Sequence, residues 1–262
     1  MKLILVSILV SVLFFSPKKK NKKPLFSNAI EIYKDSIWIH KTEVSNLEYL
    51  TFLNSNKKEN KNEFQLSDSL WKRIQNNTKN YASYYSKHPA YSNYPVVNIS
   101  KKQAIAFCKW KTDELNQEFE EKLIPIKVKV RLPSLSEWER GAYGKLPQYS
   151  KYPWQGVRMR KEKGKNEGMF NCNFRNASGK TIVKKKEIDI NEDITTPVNS
   201  FFCNTIGLYN MSGNVSEVIL DKPIAVGGNW SSLESEVKIK SSIPFLQPSP
   251  KVGFRYVIEI LK

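Results

Sequence analysis

From Gly207 to Glu217 the chain reads Gly207-Leu208-Tyr209-Asn210-Met211-Ser212-Gly213-Asn214-Val215-Ser216-Glu217, and then it enters the apolar run Val218-Ile219-Leu220. A segment this rich in Gly, Asn and Ser breaks regular structure and makes a turn. Asn210 and Glu217 offer side-chain oxygens. Gly213 frees the backbone, so that main-chain carbonyls between them can face inward. Hard oxygen donors on a tight loop suit Ca²⁺ rather than a soft metal. The same composition also describes an ordinary turn, and the loop alone leaves both readings open.

The rest of the chain is long enough for one sizeable domain or two small ones: 262 residues, 40% hydrophobic and 12% aromatic, a composition that supports a core and does not suggest disorder. Ile32–Lys41 alternates loosely and reads as a strand. Leu47, Leu50 and Leu53 recur through Glu43–Leu53 and suggest a helix. Asn54–Asn80 is polar and reads as an insertion in which Leu66, Leu70 and Trp71 give a helical turn or two. Ser100-Lys101-Lys102-Gln103 is a capping-box pattern opening a helix through about Asn116, with Ala104, Phe107, Cys108 and Leu115 inward. Ile126, Val128, Val130 and Leu132 alternate with basic residues as a half-exposed strand, which Pro133 stops. Ser134-Leu135-Ser136-Glu137 caps a second, short helix that Gly144 closes. Pro147–Ser200 is aperiodic, and Val257–Ile260 reads as a closing strand. The class is α+β with much loop.

The net charge is +17. Basic stretches lie at Lys18–Lys23, Arg158–Lys165 and Lys184–Lys186. Such a surface attracts polyanions or is simply well solvated. No helix-turn-helix, zinc-finger or RNP-like pattern accompanies it, which argues against specific nucleic-acid recognition. Residues 1–28, with the apolar run Leu3–Phe15 followed by lysines, read as a signal peptide or signal anchor with a basic linker, and 29–262 as the domain. Three cysteines, Cys108, Cys172 and Cys203, are too few for a disulfide framework and too scattered for zinc. Cys172 and Cys203 could pair in an oxidising compartment, leaving Cys108 as a buried apolar residue.

The 207–217 loop is joined by an ordered set of motifs: Thr42-Glu43-Val44-Ser45-Asn46, Tyr94-Pro95-Val96-Val97-Asn98-Ile99-Ser100, Ala106-Phe107-Cys108-Lys109-Trp110, Arg131-Leu132-Pro133-Ser134-Leu135-Ser136-Glu137-Trp138-Glu139, Tyr152-Pro153-Trp154, Pro197-Val198, Gly227-Gly228-Asn229-Trp230 and Gly253-Phe254-Arg255. In this order, and over residues 31–258, the chain resembles the formylglycine-generating enzyme, or sulfatase-modifying factor, family. The resemblance implies the C-type-lectin-like variant of the α+β class. It also implies a structural Ca²⁺ held by Asn210, Gly213, Val215 and Glu217, and a second cation site to which Asn173 with Asp189 or Asp193 would contribute. Arg255 is expected to make a buried ion pair.

The family's enzymes oxidise a substrate cysteine with copper(I) held by two cysteines after an Arg-Gly-Gly-Ser motif. Here Val226 and Asn229 replace the motif's arginine and serine, and Ser232 and Val237 stand where the thiols belong. No cysteine follows Cys203, so the resemblance comes without copper. A branch of the superfamily that uses histidine-held iron is excluded by a complement of two histidines, His40 and His88, far apart in sequence. Ser216 and Val218 replace tryptophans common beside the loop glutamate. The chain therefore reads as a non-catalytic, Ca²⁺-stabilised envelope or exported scaffold that binds a protein or a glycan, similar to gliding-motility and secretion lipoproteins of the same family. Its contact surface would lie around Tyr152–Lys165, with membrane attachment through the N-terminal segment. An oxidase with a non-standard active site and a polyanion-binding basic protein are the rivals.

Overall fold

The period-two pattern of Lys127–Arg131 and the apolar run Val257–Leu261 meet as neighbouring strands, and the fold is organised around that pairing. The computed structural model describes residues 25–55, 63–74, 80–175, 181–183, 186–188 and 195–261. Asp189, Asp193, the leader through residue 24 and the Lys18–Lys23 cluster lie outside them. Among the described residues no helix is long and apolar enough to cross a membrane.

The strands β1 (Ala29–Tyr33), β2 (Ile37–His40) and β3 (Lys127–Arg131) form one antiparallel sheet with β10 (Val257–Leu261), in the order β1-β2-β10-β3. The segment read as one strand over Ile32–Lys41 is instead a hairpin. Asp35 takes φ +53°, which a continuous strand does not allow, and the chain reverses there. Successive residues bury opposite faces. Trp38, Val128, Val130 and Ile258 face the helices α1 (Asn46–Ser55) and α3 (Lys101–Glu121). Ile39 and Val257 face α4 (Leu135–Tyr143) and the loop after Gly207. Phe26 already packs in this core, against Trp38 and Phe119, so the folded body begins ahead of residue 29.

Both capping boxes form as the sequence indicates. Ser100 and Gln103 satisfy each other's backbone N–H groups at the start of α3, and Ser134 and Glu137 do so at α4. Glu137 is also gripped by both terminal nitrogens of Arg131 at 2.7 Å, so one carboxylate caps α4 and ties it to β3. The helix after Glu43 turns a different face inward. Asn46, Tyr49 and Phe52 are buried, whereas Leu47 is 58% exposed. The aromatic rings gain more by joining Phe107 and Trp110 of α3 than the leucines would.

A second sheet carries the loop. It is built from β6 (Ser216–Val218), β7 (Ile224–Val226), β8 (Ser242–Pro244) and β9 (Val252–Gly253), in the order β8-β7-β6-β9, with β6 and β9 parallel. Between the two sheets the chain from Pro147 to Arg175 has no helix or named strand, and turns and an isolated Arg160–Phe170 bridge hold it together. A short hairpin, β4 (Thr181–Val183) with β5 (Lys186–Ile188), follows. In the insertion, Asp68–Arg73 makes a 3₁₀ turn and seats Trp71 against Tyr81 and Tyr85.

Candidate functional site

The loop from Gly207 delivers Glu217 to the first residues of the second sheet, where it meets Arg255 at the end of Gly253-Phe254-Arg255. Both side chains are inaccessible, at 1% and 0% exposure. The guanidinium Nε and Nη2 each donate to a different oxygen of Glu217 at 2.6 Å. Its remaining N–H groups donate to the carbonyls of Tyr209, His40 and Lys41. All five donors are therefore used. Trp138 Nε1 donates to Glu217 Oε2 at 2.7 Å and ties α4 to the same carboxylate.

A second carboxylate lies beside this pair and carries no signal of its own in the sequence beyond its place in Thr42-Glu43-Val44. Glu43 is fully buried. Its Oε2 accepts from Asn210 Nδ2 at 3.0 Å and its Oε1 from Asn214 Nδ2 at 2.9 Å. Burial pushes its carboxyl up to about 8; Arg255 pulls it down, and the nearby Glu217 pushes it further up. Asn214 spans the network, because its Oδ1 accepts from the backbone N–H and hydroxyl of Thr196.

Asn210, Gly213, Val215 and Glu217 thus come together on one loop. Both Glu217 oxygens face a guanidinium, and Asn210 gives its amide nitrogen to Glu43 and to the Val198 carbonyl. A cation here would have to share Glu217 with Arg255. Asn173 is brought against this same loop: its carbonyl accepts from Asn214 N at 2.9 Å. Gly213, at φ +74°, allows that approach, since a Cβ there would sit 2.0 Å from the Asn173 oxygen. Asp189 and Asp193, the other expected ligands, lie outside the described residues. Those residues contain no cluster of three or more His, Cys, Asp or Glu side chains that could hold a metal.

The positions of the expected thiols lie farther along, below Trp230. Ser232 closes a small turn: its Oγ accepts from Asn229 N at 3.2 Å and its N–H donates to the Asn229 carbonyl. Val237 is buried in an apolar cluster with Tyr152, Met159, Phe170, Cys172 and Phe174. Gly228 lets it close in, because a Cβ there would stand 2.7 Å from Val237 Cγ1. Copper(I) needs soft thiolates. Here it would find a hydroxyl and an isopropyl group. Cys172 shares the cluster, but burial drives its thiol far up and keeps it protonated. The residues do not fit the metal. Two departures noted in the sequence compensate each other, since Asn229 Nδ2 donates to Ser216 Oγ at 3.0 Å.

The three cysteines are free thiols, Cys172 buried and Cys203 exposed. His40 is stacked on Tyr256 at 4.5 Å and donates through Nδ1 to the Thr42 carbonyl, whereas His88 caps the 3₁₀ turn Pro89–Tyr91. Each histidine has a structural task. Beside the Ser232 turn, the segments at 151–174 and 233–238 enclose an open groove of about 1060 Å³.

The Sulfatase-modifying factor enzyme 1-like domain matches residues 16–260. A formylglycine-generating enzyme of Thermomonospora curvata is 33% identical over 146 residues, which is 55% of this chain and 37% of that protein. The formylglycine-generating enzyme of Mus musculus is 32% identical over 126 residues, 48% of this chain and 27% of that protein. The matched stretch therefore spans well under half the length of these curated relatives. Among solved structures, PvdO from Pseudomonas aeruginosa superposes with a TM-score of 0.54 at 16% identity, covering 86% of this chain and 80% of that one. CarF gives 0.50 at 18% identity, covering 86% and 87%. Treponema denticola variable protein 1 gives 0.50 at 16% identity, covering 84% of each. At these identities the likeness is one of fold.

The geometry makes two predictions. Arg255→Met leaves Glu217 buried without its partner and should cost about 3–5 kcal/mol in urea unfolding, with part of that recovered when Glu217→Gln is added. Glu43 has a folded value near 8 against an ordinary 4.5. The folded state therefore holds a proton that the unfolded chain has lost in that window. Stability should fall by up to about 1.4 kcal/mol per pH unit from about pH 5 to about pH 8 and level off above, and Glu43→Gln should flatten that slope.

Proposed function

Because this chain belongs to the sulfatase-modifying factor enzyme 1-like family, we propose that it keeps the family's fold as a binding module and does not perform the family's copper-dependent oxidation of cysteine. One observation carries this reading. The positions that would hold the metal are a turn-closing serine, Ser232, and a buried valine, Val237. Neither can ligate copper(I), and no second thiol accompanies Cys172 in that cluster. The side chains that would be catalytic elsewhere serve packing here. Loops fixed on a rigid frame are then free to recognise a partner.

An exported or envelope-facing scaffold is the setting this proposal favours. The apolar run Leu3–Phe15 supports it, with the N-terminal segment as the attachment, whereas the lysines that follow the run oppose ordinary export. An oxidase working through other residues is the rival reading. A metal-dependent form of it calls for a ligand cluster, and no group of three or more His, Cys, Asp or Glu that could hold a metal occurs among the described residues.

Purified protein incubated with copper(I) and a sulfatase-derived cysteine peptide should form no formylglycine by mass spectrometry, under conditions where a thiol-bearing family enzyme converts the peptide. Stoichiometric copper with turnover would overturn the proposal. Calcium on the 210–217 loop is the family's other expectation, and we propose that this chain does not hold it there. With both Glu217 oxygens engaged by Arg255, the expected outcome is no change in Tm when millimolar Ca²⁺ is added to EDTA-treated protein. A rise of about 5 °C or more would show a bound ion stabilising the fold.

A further inference from the structure

We propose that the open groove beside the Ser232 turn binds an extended acidic polypeptide segment. The inference rests on the binding-module reading and names the chemistry of its partner. The groove, about 1060 Å³, is lined by the cationic side chains of Lys151, Arg158, Arg160 and Lys238 against a single acid, Glu234. That is a local excess of positive charge on a chain already at +17. The volume reaches the upper end of what small-molecule sites offer, and the groove is open, as suits several residues of an extended chain.

One of these cations, Arg160, has its charged group held in place. The Arg160 guanidinium lies 3.5 Å from the centroid of Phe170, and its Nη1 donates to the Gly168 carbonyl at 2.7 Å. A planar fork held on a ring is pre-organised for a carboxylate and loses little freedom on binding one. Lys151 is fixed through its backbone, whose carbonyl accepts from Ile239 N, so the two walls of the groove are joined. The Arg158 carbonyl accepts from Trp154 Nε1, and its side chain pairs with Glu162 in an exposed contact that a ligand can displace at little cost.

The walls decide between a polypeptide and an acidic glycan. Sugars need open aromatic faces. The rings that line this groove have none, because Tyr152 is stacked on Trp154 at 4.8 Å, Phe170 lies under Arg160, and Phe174 is buried. The exposed apolar groups are aliphatic, with Val157 at 59% and Leu233 at 38%. Aliphatic ledges between cations match a strand of alternating acidic and apolar side chains.

The probe is a short fluorescein-labelled peptide of alternating Glu and Val, read by fluorescence anisotropy at rising salt. A Gln/Val peptide, a sulfated oligosaccharide and anionic phospholipid vesicles serve as comparisons. The acidic peptide should bind, weaken with salt and exceed the neutral peptide by about tenfold or more. Lys151→Glu with Lys238→Glu, which leaves the Arg160–Phe170 stack intact, should lower its affinity by about tenfold, as should Arg160→Glu. Lys109→Glu with Lys129→Glu, on α3 and β3, carries the same charge change away from the groove and should alter affinity by less than about twofold. Near-ultraviolet circular dichroism identifies any variant that has lost its packing. Equal loss in the remote and groove variants, equal binding of the neutral peptide, or binding confined to the oligosaccharide or the vesicles would each overturn the proposal. The two readings fail separately: turnover of a cysteine peptide removes the binding-module reading, and unchanged affinity after reversal in the groove removes this one.

Discussion

The buried pair between Glu217 and Arg255 is the interaction on which the arrangement depends. Taking two charges out of water costs several kcal/mol each, and the pair is tolerable only because every hydrogen-bonding position is filled. The guanidinium reaches Glu217, Tyr209, His40 and Lys41, so one side chain joins the end of β2, the 207–217 loop and the second sheet. Trp138 adds α4. Such a pair contributes little net stability compared with apolar residues of the same shape. It allows one arrangement of these four segments, because any other leaves a charge stranded.

Glu43 shows how closely the interior is balanced. A second carboxyl group lies beside Glu217 with one guanidinium near both, and burial holds the Glu43 proton in place well above the usual carboxylate range, so that Glu217 is the one anion Arg255 faces. Asn210 and Asn214, both at positive φ, aim their amides at it. The asparagines that look like calcium ligands in the sequence are thus committed to a neighbour that lies 167 and 171 positions away in the chain.

That distance explains which features could be read from the sequence. Both capping boxes, the β3 alternation and the Arg255 ion pair follow from short patterns whose physics is local or tied to a specific motif. The hairpin at Asp35 was hidden because one residue at positive φ reverses a strand without altering its composition. The inner face of α1 was displaced by one position, since leucine counts for more than asparagine in a hydrophobicity pattern. Asn46 is nonetheless buried, with Nδ2 donating to the carbonyls of Tyr85 and Tyr91. No local pattern announces such partners. The groove is partly legible: basic and aromatic residues cluster around Tyr152–Lys165 in the sequence, but its second wall, at 233–238, is brought there by the fold alone.

β10 lies between β2 and β3, and it is the last of the described strands in chain order. The central slot of the principal sheet therefore stays vacant until the strands flanking it have both been made. During synthesis β2 and β3 each present an unfilled edge until residues 257–261 emerge. Closure then joins segments far apart in the chain, with the long-range pairing that makes such folds slow and exposed to misassociation. In a growing chain, the arginine that locks the interior arrives only with the strand that completes it.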